Sequence, residues 1–106
     1  MPLLKELDER DKRMALIAAR TVLEQQALTK PSQKRLPLRQ AVARGLSFAH
    51  YANMGVGGHR EIAVTHEVCR ALGIPADIAT IEAWDCTATR DKVVRAFELA
   101  IIRLSR

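Results

Sequence analysis

The sequence predicts an all-α fold, a single domain built as a bundle of about five helices, and three observations point to it. Just under half of the 106 residues are apolar, yet only Phe48, Tyr51, Trp84 and Phe97 are aromatic. Alanine, leucine, isoleucine and valine must then fill the core, which favours closely packed helices over strands rich in aromatic and β-branched residues. Apolar residues also recur at three- and four-residue spacing between short breaks carrying proline or glycine. The length suits one domain with a modest core.

Residues 2–28 read as one long helix. Pro2 fits its first turn, acids Glu6, Asp8, Glu9 and Asp11 come early and Arg20 later, as the helix dipole prefers. Leu7, Met14, Thr21 and Leu28 repeat every seven residues, with Leu3 and Ile17 beside them. From Met14 to Leu23 the helix is apolar on most of its circumference, so one buried stripe does not account for it. It calls for partners on two sides: either it runs through the centre of the bundle, or it meets a second chain in a homodimer through residues 2–28.

Residues 29–37 (TKPSQKRLP) form a polar, basic connection that is expected to be mobile. Pro37 then opens a helix over Leu38–Asn53, with Leu38, Val42, Leu46 and Ala49 on one side and Phe48 and Tyr51 on a neighbouring face. Gly45 inside it costs about 1 kcal/mol relative to alanine, which close approach of another helix would justify. The run Gly55-Val56-Gly57-Gly58 ends that helix.

Residues 59–84 organise the rest. They predict helix, tight turn and helix, with a helix-turn-helix-like corner at Gly73. Gly73 can take the left-handed conformation that closes a helix, and Pro75 is suited to begin the next. Val68 and Leu72 before the turn, and Ile74, Ile78 and Ile81 after it, would face one corner. Residues 85–89 form a short connection offering Thr87 or Thr89 as an N-cap. The last helix carries Asp91 in its first turn and a stripe of Val94, Phe97, Ile101 and Leu104.

The net charge of +5 belongs to the middle of the chain. No acid occurs between Glu24 and Glu61, whereas Lys30, Lys34, Arg35, Arg39, Arg44 and Arg60 all do. These six are the candidate macromolecule-binding residues; they suit an anionic partner or simply keep the chain soluble. As a DNA reader the Gly73 corner is half matched. Cys69 is the small residue four positions before the turn glycine, and Val68, Leu72 and Ile74 fit, but Ile78 and Ile81 fall one position early. A recognition helix carrying Asp77 and Glu82 would be repelled by phosphate.

Other chemistry finds less support. His66 and Cys69 are a close pair for zinc, with His50, His59 and Cys86 further off, but the recognised paired-ligand spacings are missing, so no metal or cofactor is expected. Gly55–Gly58 with Arg60 could cradle phosphate, but lacks the lysine and hydroxyl of a nucleotide loop. Ser32, Ser47, Cys69 and Cys86 have no base and orienting acid at a recognisable spacing, and His66, Glu61 and Glu67 do not supply one. Two reduced thiols and a charged N-terminus suggest a cytoplasmic protein. The longest apolar run, Met14–Ala19, is too short to span a membrane. The expected function is therefore non-catalytic: a small regulatory or adaptor protein that binds a protein partner through an apolar helix face rimmed by basic residues. The alternative is a DNA-binding regulator using the Gly73 corner.

Overall fold

The computed structural model describes residues 7–49 and 56–106, and among them five helices and no strand. They are α1 (Glu9–Thr29), α2 (Leu38–Phe48), α3 (His59–Leu72), α4 (Ile78–Thr87) and α5 (Arg90–Leu104). Helix α1 is the hub: it packs against α2 and α5, while α3 closes on α5 and α2, and α4 rests on α3. The Cα radius of gyration is 13.0 Å, the value of about 13 Å that a compact chain of this length shows.

Leu7 and Asp8 are not helical, so α1 begins later than the charge pattern suggested, with Asp8 as N-cap accepting the Asp11 amide at 2.8 Å. Pro2, Leu3 and Glu6 lie outside the described residues. Of the seven-residue repeat only Leu7, ahead of the helix, is buried; its three positions within α1 mark the outer face. Met14, Ile17, Thr21 and Leu28 are exposed, and the buried stripe is Ala15, Leu16, Ala19 and Leu23. Small residues decide which side goes in, because α2 brings Gly45 directly against the α1 backbone. A Cβ built on Gly45 would lie 2.3 Å from the Ala15 carbonyl oxygen and 2.8 Å from the Ala19 nitrogen. Only a residue without a side chain permits that approach. Leu16, Leu23, Leu38, Val42 and Leu46 close the seam, each fully buried aliphatic side chain contributing about 1.5–3 kcal/mol.

The 30–37 connection, expected to be mobile, is tied down. Gln26 on α1 donates to the Lys34 carbonyl at 3.0 Å and accepts the Leu36 amide at 3.0 Å, which pins the returning strand of the loop to the helix it left. Helix α2 is described as far as Phe48; its expected continuation through His50 and Tyr51 to Asn53 lies outside the described residues, apart from Ala49 at its C-cap.

The Gly73 corner forms as expected. Gly73 has φ +72°, its amide donates to the Arg70 carbonyl, and the Ile74 amide reaches the Cys69 carbonyl at 3.1 Å. Those bonds satisfy carbonyls that the helix end would otherwise leave open. Pro75 does not begin α4. The helix starts at Ile78, capped by Asp77, whose carboxylate accepts the Thr80 amide at 3.0 Å. An aspartate cap outcompetes the proline because it meets one of the open amides of the first turn. Asp85, Cys86 and Thr87, expected in a connection, instead form the last turn of α4, and Thr89 caps α5. The buried stripe of α5 is Val93, Ala96, Phe97, Ala100 and Leu104, with Val94 and Ile101 only partly covered. Facing both α1 and α3 shifts that stripe from the expected centre.

Candidate interaction surface

The six basic residues of the middle segment do not form one patch. Two of them are drawn inward by acids remote in sequence. Arg39 on α2 grips Glu61 on α3: Nε lies 3.0 Å and 3.1 Å from the two carboxylate oxygens, and Nη2 donates at 2.6 Å. Its Nη1 reaches Glu82 on α4 at 3.0 Å. Glu61 is only 1 % exposed, and it also accepts the Gly57 amide at 2.9 Å and the Thr65 hydroxyl. Burial alone would raise the Glu61 pKa; the Arg39, Thr65 and Gly57 hydrogen bonds outweigh it and hold the carboxyl below its ordinary value. Arg39 is in turn held more firmly protonated, chiefly by its hydrogen bond to Glu61.

Glu61 also explains the glycine loop. As the third residue of α3 it reaches back over the helix start, in the manner of the acid in a capping box. The Gly57 amide that a phosphate would need is therefore already occupied by this carboxylate.

Arg35, in the 30–37 connection, caps the end of α4, and Asp85 on α4 caps the start of α2. Arg35 lies 2.7 Å from the Asp85 carboxylate and donates through Nη2 to the Asp85 and Ala88 carbonyls at 2.6 Å and 2.8 Å, closing the C-terminal end of α4. The other Asp85 oxygen accepts the Leu38 amide at 2.9 Å, supplying the N-terminus of α2 with the acceptor that Pro37 lacks. A third hub, Glu67, lies 2.7 Å from Arg70 and 3.5 Å from both Lys12 and Arg103, joining α1, α3 and α5. Burial pushes its pKa up, but these cations outweigh that and leave it lowered.

Lys30, Lys34 and Arg44 remain exposed, and none makes an ion pair with another described residue; Arg60 is half-buried in the first turn of α3. Two of these cations share a groove. Between the C-terminal half of α1 and α2 runs an open hollow of about 550 Å³, floored by Ala18, Thr21, Val22 and Leu36 and walled by Phe48, with Lys30 and Arg44 at its rim. Among the described residues, glutamines 25, 26 and 33 and Thr29 also line it, and no acid does. Phe48 is 70 % exposed, Leu28 78 % and Met14 46 %, so apolar surface continues along the outer side of α1. Lys34 instead borders a second hollow of about 660 Å³, where Arg35 and Arg39 are already matched by Asp85 and Glu82.

The groove lining was only partly foreseeable. An α1 apolar on most of its circumference signals an outer apolar face, and Phe48 stands off the α2 core stripe. That Arg44 and Lys30 converge there depends on how α2 packs, which local pattern does not carry.

The outer face of α4 presents Ala79, Glu82, Ala83, Cys86 and Thr87, and the helix contains no lysine or arginine. Among the described residues no three of histidine, cysteine, aspartate and glutamate converge to hold a metal; His50 lies outside them. Of the candidate nucleophiles, Ser47 donates to the Ala43 carbonyl, and both cysteines are free thiols. Burial pushes the Cys69 thiol up, whereas Cys86 is exposed. With a thiol-specific chromogenic reagent at neutral pH, one thiol is expected to react in the native protein and the second only on unfolding, with Cys86→Ser abolishing the fast phase. Fast reaction of both would contradict the buried position of Cys69.

No helix among the described residues is long and apolar enough to cross a membrane. Searches against protein-family models, curated proteins and solved structures find no match to this chain.

Proposed function

We propose that the protein is a non-catalytic binding module that engages another protein through the α1–α2 groove. The observation that carries this reading is an aromatic ring, Phe48, left 70 % exposed at the wall of an apolar groove with cations at its rim. Large apolar side chains exposed together, and edged by polar groups, are the usual mark of a docking surface. Arg35 and Arg39 are engaged internally and Lys34 borders the other hollow, so Lys30 and Arg44 are the cations placed where recognition at this groove would use them. Helix α4 offers no cation for the alternative, DNA reading from the Gly73 corner, and two of its acids cap or brace neighbouring elements.

A photo-crosslinking residue at position 48, in the full chain inside cells, tests the reading. The expected result is a discrete protein adduct that resists nuclease, is digested by protease and is absent when the crosslinker stands at the exposed Lys92 instead. An adduct that disappears with nuclease, or equal labelling from both positions, would overturn it.

A further inference from the structure

We infer that the occupant of the groove is an amphipathic helix with acidic flanks, contributed by the partner protein. This rests on the reading of the α1–α2 groove as a protein-docking site. Shape argues for a helix. The groove lies between two helices, and among the described residues there is no sheet edge to which an extended peptide could add a strand. Its lining follows α1 from Ala18 to Thr29, which at 1.5 Å per residue is about 17 Å, or three turns of a partner helix. Such a helix would set apolar residues at i, i+4 and i+7 against Val22, Leu36 and Phe48.

Charge selects its flanks. Lys30 and Arg44 reach the rim with no acid among the described lining residues, and a partner with Asp or Glu beside its apolar stripe would meet both. The same feature disfavours a second copy of this chain. A two-fold axis through the groove would set Lys30 and Arg44 against their own counterparts, since an isologous interface brings the same surface patch of both subunits together.

The test uses the full protein and two fluorescent 14-residue helical peptides with the same apolar stripe, one flanked by glutamates and one by lysines. Anisotropy is expected to show the acidic peptide binding at least about tenfold tighter, with the gap narrowing as salt rises. The double reversal Lys30→Glu/Arg44→Glu is expected to invert the preference. Phe48→Asp should abolish binding of both peptides while leaving the circular dichroism unchanged, because that side chain is exposed.

Equal binding of both peptides, lost in Phe48→Asp, would overturn the acidic occupant and leave the docking site standing. No binding of either peptide would overturn the inference, and the position-48 crosslink then decides the docking site separately. A crosslink from position 48 to a second copy, with a doubled mass in solution, would replace the partner helix by self-association.

Discussion

Gly45→Ala is expected to destabilise the protein by about 2 kcal/mol or more, although alanine is the better helix former. The intrinsic gain from replacing a mid-helix glycine is about 1 kcal/mol. Against it stands a methyl group 2.3 Å from the Ala15 oxygen, 2.8 Å from the Ala19 nitrogen and 3.1 Å from the Ala19 Cβ. Two of those three atoms belong to the α1 backbone, so no rotamer change relieves them. The helices must separate, and the core of Leu16, Leu23, Val42 and Leu46 then loses its close fit; overpacking of this kind costs typically 1–3 kcal/mol and more where nothing can yield. The urea midpoint should fall with an unchanged slope, and the melting temperature should drop by about 10 °C or more. Because the groove lies on this seam, peptide binding should weaken under conditions where the variant is still folded. A variant as stable as the parent would show that α1 and α2 are not in backbone contact there.

Gly45 also shows what can be read from sequence and what cannot. A glycine within a helical pattern needs a reason, and close approach was the expected one. Its counterparts Ala15 and Ala19 stand among six consecutive apolar residues, Met14–Ala19, and nothing local marks two of them as the seam. The seven-residue repeat pointed to Met14 and Thr21, yet packing put the smaller residues inside, since helix backbones approach closely only where side chains are short. Gly73 was legible because a left-handed residue at a helix end has a local cause, and the same holds for Thr89 as a cap.

Charge was the least legible property. An acid-free stretch from residue 25 to residue 60 suggested a continuous basic surface. Arg39 finds its acids 22 and 43 positions away, and Arg35 finds Asp85 at a separation of 50. Such pairings depend on tertiary approach and leave no trace in spacing. The candidate site is what remains of the basic segment after folding has drawn Arg35 and Arg39 inward.

That internal pairing leads to the second large effect. Arg39→Ala is expected to cost about 3–5 kcal/mol, because it leaves the Glu61 carboxylate buried without its counter-charge. An exposed ion pair would be worth well under that. Replacing both partners by apolar residues, often neutral for a buried pair, is not expected to be neutral here. The Gly57 amide and the Thr65 hydroxyl would each lose their acceptor. The pH dependence separates this charge from a merely steric role. Glu61 has a lowered pKa in the folded chain, so the unfolded chain takes up the proton first as the solution is acidified. The stabilisation is complete above the ordinary glutamate value of about 4.3 and is lost as the pH falls from there through the lower folded value. Glu67 is lowered in the same direction and contributes to the same acid limb. Glu61→Gln should therefore be less stable than the parent at pH 7, and the gap should narrow steadily below about pH 4.5, measured by urea unfolding at each pH. A gap of constant size down to pH 2 would mean that the amide fails by shape alone, and that the Arg39–Glu61 charge pair does not hold α2 to α3.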